Sequence, residues 1–187
     1  MKLFFAQHKT TQSVQAPEYP KISDVSASFL LKTITSVLTK AVTTNSSKSH
    51  AKDVFTGACV PQISIEKYLL RFYEFLDDDP TIYVSSLIYI SMYLELTPDS
   101  SLNELNVHRL IACSILLAYK QLMDFRHKNK RFAAIAGVNL SELNSLEIKF
   151  LTIFDFATHV SPEHFEECYH CLLDSVTLEY EINSSPG

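Results

Sequence analysis

The sequence predicts an all-α protein: a single five-helix domain around a buried third helix, with an additional N-terminal helix. Three observations carry that prediction. The chain has 187 residues, of which 47% are apolar, and the apolar positions recur at steps of three and four. Helix-start signals follow one another in series from Ile63 onward. Glycine is scarce, with only Gly57, Gly137 and Gly187, where average usage gives about four times as many. Few glycines and seven prolines are a poor supply for the many turns of a β protein.

Taken in order, residues 1–20 are polar, end in Ala16-Pro17-Glu18-Tyr19-Pro20 and read as an arm. Ile22, Val25, Phe29, Leu30, Ile34, Val37, Leu38 and Ala41 then fall on one stripe, which predicts a helix over 22–42. Residues 43–52 are rich in Ser, Thr, Asn and Lys, have no period and read as a linker. Ser64 is an N-cap, with Ile63 placed to staple onto Tyr68. Asp79-Pro80 is a cap followed by proline at the first helical position. Asn103 is a third cap, with Leu102 placed to meet Val107. Asn139 with Glu142 is a capping box in which Val138 staples onto Leu143. Ser161-Pro162 is a fifth start, with Val160 placed to meet Phe165. Asp77-Asp78-Asp79, Thr97-Pro98 and Gly137 supply stops. The helices therefore fall near 64–76, 80–95, 104–123, 140–155 and 162–178, with a short segment at 131–136. Leu110 to Tyr119 holds no charged residue, so this third helix is apolar all round and sits in the centre. The 80–95 helix is nearly as apolar. The domain plan is 1–60 for arm, helix and linker, 61–180 for the helical domain, and 181–187 for a tail.

Composition narrows the function classes. Phosphate-cradling loops need clustered glycines so that backbone N–H groups approach the anion, and none exist here. A net charge of −5 is not that of a nucleic-acid binder. No apolar run approaches the roughly 18 residues that span a bilayer, and the start, Met1 to Ala6, meets Gln7-His8-Lys9 too soon for a signal peptide. Cys59, Cys113, Cys168 and Cys171 are accordingly read as reduced thiols of an intracellular protein, nuclear, cytoplasmic or both.

The residues themselves sharpen the fold. The first helix of the domain reads Ser64-Ile65-Glu66-Lys67-Tyr68-Leu69-Leu70-Arg71. The third runs Asn106-Val107-His108-Arg109-Leu110, then Ala118-Tyr119-Lys120, then Asp124. Phe132-Ala133 and Ala136-Gly137-Val138 follow, then Glu142 to Leu151, closing with Asp155-Phe156. As an ordered series over about residues 61–170, this resembles the PHO-type (P/U-type) cyclins, a group with one cyclin box whose members partner phosphate-regulatory kinases. The resemblance implies a cyclin box and a regulatory subunit that binds and activates a cyclin-dependent serine/threonine kinase. It implies no enzymatic activity of its own, no cofactor and no small-molecule substrate, and neither nucleic acid nor membrane as partner. One departure is plain: members often carry an acidic then a basic residue after the Tyr-Ile of the second helix, where this chain has Ser91 and Met92. The ion pair many cyclins form there is not expected.

Lys120 and Glu147 are the main site residues. In the family this lysine and glutamate grip backbone groups of the kinase near its regulatory helix. On residues alone, Glu147 falls inside the stripe made by Leu143, Leu146, Phe150, Leu151 and Phe154, where a bare carboxylate is costly. That pattern fits an internal Lys120–Glu147 pair closing the fold, or groups turned toward a partner, or both. The resemblance adds Leu117, Leu151, Phe154 and Phe156 as the apolar part of the kinase-binding surface.

Other features read blandly. Arg126-His127-Lys128-Asn129-Lys130-Arg131 is a basic run, best read as a solvated loop complementing the third helix's negative end. His164, Cys168 and Cys171 lie along one edge of the last helix, but one helix does not readily close a zinc tetrahedron, so no metal is expected. Asp77 to Asp79 are explained by a helix end and a cap. A cyclin-fold transcription or adaptor module, similar to transcription factor IIB repeats, is the alternative function. Such modules pair two boxes and carry basic surfaces, which this chain lacks.

Overall fold

The computed structural model describes residues 19–46, 53–76, 79–124 and 127–184, with side chains described through 176. The arm over 1–18, the linker over 47–52, Asp77, Asp78, Phe125, Arg126 and 185–187 lie outside the described residues. Seven α-helices, and no strand, occur among those described: α1 (Ala27–Asn45), α2 (Ile65–Leu76), α3 (Pro80–Leu96), α4 (Val107–Leu122), α5 (Asn129–Ala136), α6 (Leu140–Ile153) and α7 (Pro162–Ser184). The all-α expectation is met.

Most starts follow the capping residues. Ser64 Oγ accepts from the Lys67 N–H (3.3 Å), Asp79 Oδ1 from Thr81 (2.8 Å), Asn139 Oδ1 from Glu142 (2.7 Å) and Ser161 Oγ from His164 (3.2 Å). Three starts differ from expectation. Ile22–Asp24 is a separate 3₁₀ turn, and α1 begins only after Ser26, whose Oγ accepts from Phe29. Asn103 does not cap α4; its Oδ1 accepts from the Leu105 N–H, while Asn106 Oδ1 accepts from Asn103 itself. The two asparagines build a turn, and the helix starts at Val107. The short segment starts at Asn129 rather than 131, so much of the basic run is helix, and Arg131 donates to the Phe75 carbonyl at the end of α2. At the stop, Gly137 takes φ 73° and the Val138 N–H reaches back to Ala133 O (3.1 Å), a left-handed closure that glycine permits.

The centre holds two helices, not one. Leu110 to Tyr119 of α4 are buried without interruption, but so are Ile82 to Ser91 of α3. Packed against each other, α3 and α4 are surrounded by α1, α6 and α7 on the α3 side and by α2, α5 and α6 on the α4 side. An all-apolar helix signals a central place, and the sequence contains two of them.

The segment after α1 is fastened into this centre. Asp53 accepts from Tyr93 Oη and Ser100 Oγ (both 2.6 Å) and from the Phe55 N–H (2.8 Å). Phe55 is fully buried, edge-on to Tyr93 and Phe150. Next to it, the Gly57 N–H donates to Leu105 O (2.7 Å). A Cβ on Gly57 would lie 2.4 Å from Arg109 Nη1 and 3.0 Å from Leu105 O, so a larger residue would have to displace the Arg109 guanidinium and press on that carbonyl. Arg109 in turn donates to Glu142 Oε1 from Nε (3.0 Å) and Nη2 (2.6 Å). Glu142 is thus only half of a capping box: its N–H is capped, but its side chain serves α4.

Candidate functional site

Lys120 is the first charge to follow the buried stretch of α4. Its Nζ lies 2.5 Å from Glu147 Oε1 on α6. The side chains are 28% and 15% exposed, so the pair sits at the edge of the core and is reached by solvent. Glu147 Oε2 accepts from Asn129 Nδ2 at 2.7 Å. The same amide nitrogen also donates to Asn144 Oδ1 at 2.8 Å, one turn earlier on α6. Three helices therefore converge on one carboxylate, and the desolvation it suffers is offset by a cation and an amide. Its charge is felt inward: burial first, and Glu147 second, push the Cys113 thiol upward.

Beyond Glu147, α6 ends in a turn that presents an aromatic ring. Asp155 and Phe156 have φ of 48° and 58°, a region that bulky residues avoid. The turn is held by Phe156 N–H to Leu151 O (2.9 Å) and Ala157 N–H to Phe154 O (2.9 Å). Buried Thr158 anchors its far end: Tyr89 Oη donates to its carbonyl (2.7 Å), and Gln121 Nε2 to its hydroxyl (2.6 Å). Burial raises the Tyr89 phenol to about 12, so it remains a donor. As a result Phe156 stands 66% exposed, while Leu151 is half-buried and neighbouring Ile148 is 60% exposed.

The six site residues thus divide. Lys120 and Glu147 are paired at the edge of the core, Leu151 is half-buried one turn further along α6, and Phe156 is exposed in the turn that follows. Leu117 and Phe154 do not reach the surface; each is 4% exposed. Phe154, the C-cap of α6, packs edge-on to Phe150 at 4.8 Å and against Tyr89 of α3 at 6.0 Å. Both are corrected to core residues. Sequence reasoning missed Asn129, Asn144, Gln121, Thr158 and Ile148. Asn129 lay within a run whose charge dominated its reading, and no local pattern ties Gln121 to Thr158.

The remaining candidates stay apart from this face. Among the described residues no three His, Cys, Asp or Glu side chains gather closely enough to hold a metal, and no helix is long and apolar enough to cross a membrane. Cys168 is buried and its thiol is raised to about 12 by that burial. At the departure noted in α3, Ser91 is buried and its Oγ has no hydrogen-bond partner.

Against known proteins, the family model described as "Cyclin" matches residues 11–158. The chain belongs to the cyclin family. Within that family it is similar to Cyclin-U2-2 of Arabidopsis thaliana, at 29% identity over 171 residues, 90% of this chain and 71% of the relative. Cyclin-U4-1 of the same plant is 32% identical over 141 residues, 75% of this chain and 68% of the relative. Cyclin-P4-1 of Oryza sativa subsp. japonica is 36% identical over 118 residues, 63% and 56% respectively. The resemblance to P- and U-type cyclins is therefore borne out. In this cyclin α2, α3, α4, α6 and α7 correspond to the five expected helices, α5 is the short segment, and α1 is the additional N-terminal helix.

Proposed function

We propose that this cyclin is the regulatory subunit of a cyclin-dependent serine/threonine kinase, and that it docks the kinase through the Lys120–Glu147 face. The observation that carries the reading is the partly exposed ion pair at the edge of the core, on the helix that ends in the turn exposing Phe156. An interface core wants a few apolar anchors around desolvated polar groups; Phe156, Leu151 and Ile148 supply the anchors. Lys120 retains donors and Glu147 retains lone pairs beyond those used internally, and these suit the backbone carbonyls and N–H groups of a partner helix.

The mechanism follows from population shift. A kinase alone holds its regulatory helix so that its glutamate misses the lysine that orients ATP phosphates. A subunit that binds the active pose better moves the balance toward it. Shifting 1:99 to 99:1 takes about 5.5 kcal/mol of differential affinity, which a surface with a few good anchors supplies. The cyclin contributes no reacting group. Its action belongs inside the cell, in nucleus, cytoplasm or both.

The test is retention from source-cell lysate by this chain and by its Lys120→Glu, Glu147→Lys double variant, with captured proteins identified by mass spectrometry and kinase activity assayed. A cyclin-dependent kinase held by the native chain and lost by the variant is expected. Transcription components in place of a kinase would overturn the reading in favour of the adaptor class, as would equal retention of kinase by both baits for the assigned face.

A further inference from the structure

We propose that Asn129 is a positioning residue for kinase docking, fixing the Glu147 carboxylate so that it faces Lys120 and the partner in one orientation. This rests on the docking reading above and adds a residue to it. Asn129 is the first residue of α5, one position past the N-cap, where its side chain has no capping role in its own helix. Lys128 is the N-cap, with no side-chain capping bond. The Asn129 amide instead crosses to α6. Both N–H groups are engaged, one on Glu147 Oε2 (2.7 Å) and one on Asn144 Oδ1 (2.8 Å). An amide nitrogen has only two protons to give, so this arrangement sets which way the amide points and leaves it no other donor.

The consequence falls on Glu147. With Lys120 on Oε1 and Asn129 on Oε2, the carboxylate is held from two sides and cannot rotate about its last torsion, which is otherwise broad. Binding that depends on a charged group gains when its orientation is fixed before the partner arrives. Asn144, from the same helix as Glu147, keeps the amide from swinging away. Lys120 faces this carboxylate from α4, and the Cys113 thiol on the same helix feels it together with the Arg109 and Glu142 charges.

A double-mutant cycle tests the inference, with binding measured to purified cyclin-dependent kinase catalytic subunits of the source organism. Asn129→Leu removes the donor and is expected to weaken binding about tenfold. In a Glu147→Ala background the same change is expected to cost less than about twofold, because the group it positions is gone. Asn129→Asp preserves shape, places a second carboxylate against Glu147, and is expected to bind worst near pH 8 and to recover toward pH 5.5 as the two come to share a proton. A residue that merely joins α5 to α6 would show neither the vanishing effect nor the pH profile. Equal losses from Asn129→Leu in both backgrounds, or none in either, would overturn the inference while a Glu147→Ala defect left the docking reading standing. Unchanged binding by Glu147→Ala would overturn the docking reading and this inference with it. If Asn129→Leu fails to fold, the Asn129→Asp profile decides alone: flat from pH 5.5 to 8 overturns the inference.

Discussion

At the residue scale, hydroxyls in the core show which polar groups the fold has provided for. Ser86 Oγ donates to Tyr83 O (2.8 Å) and Ser114 Oγ to Ile111 O (3.0 Å), both within their own helices. Ser91 is equally buried, at 4% exposure, and finds nothing. A buried hydroxyl without a partner costs on the order of 1–3 kcal/mol in desolvation, and replacing it with an apolar group of similar shape removes that cost. Ser91→Ala is therefore expected to stabilise the protein by up to about 1 kcal/mol, or a rise of roughly 2–4 °C in melting temperature for a chain of this size. Thermal melts of the two proteins decide it; a lower melting temperature for the variant would mean that the hydroxyl is satisfied in solution. Kinase binding is expected to be unaffected, since Ser91 lies inside α3 and away from the Lys120 face.

At the element scale, the turn that ends α6 combines backbone strain with an exposed aromatic ring. Two successive residues in the left-handed region cost about 1–2 kcal/mol each for non-glycine side chains, and the second, Phe156, is 66% exposed. Strain at an exposed aromatic ring suits a ring held out for a partner. Phe156→Gly separates the two roles. Strain relief is opposed by the added entropy of glycine in the unfolded chain, so stability is expected to stay level or rise by up to about 1 kcal/mol, while kinase retention falls at least about tenfold. A variant that loses stability and keeps kinase binding would identify Phe156 as structural. Nothing local foretold this turn: Asp155-Phe156 carries no glycine or asparagine, and it is Thr158, fastened from α3 and α4, that forces the backbone. The same contrast runs through the other elements. Caps at Ser64, Asp79, Asn139 and Ser161 were legible because one side chain serves its own next turn. The start of α4 was not, because Asn103 and Asn106 compete for the same few N–H groups and the outcome depends on Ser101 O, which accepts from both amides. Lys120 and Glu147 were legible as a pair from the isolation of each charge among apolar residues. Asn129 was not, because its partners lie on another helix and its sequence neighbours are cations.

At the scale of the whole molecule, the segment 53–57 joins elements distant in sequence, and Asp53 is its hinge pin. Burial by itself would raise this carboxyl, but hydrogen bonds from Ser100, Tyr93, Thr56 and the Phe55 N–H outweigh it and hold the group below its usual value. The sign follows directly. A carboxyl whose folded value lies below its unfolded value, about 3.9, contributes stability that is present above that unfolded value. The contribution is lost as pH falls through the folded value. Asp53→Asn removes the charge but keeps the size. At pH 7 it is expected to destabilise by about 1–3 kcal/mol, since Tyr93 and Ser100 now share a weaker acceptor. As acid protonates Asp53 in the native chain, the two proteins are expected to converge, with the gap closing below about pH 4. Urea unfolding at pH 7 and at successive steps down to pH 3 measures it. A gap that stays constant with pH would show that the ionised form is not what binds the segment to α3. If the gap closes, the attachment of Phe55 between Tyr93 and Phe150 depends on one carboxylate. The end of α1, the close approach of Gly57 to Arg109, and the Arg109–Glu142 pair that fixes α4 to the start of α6 would then share its acid sensitivity. The docking face, built on those same two helices, is expected to lose kinase affinity over that window and not before it.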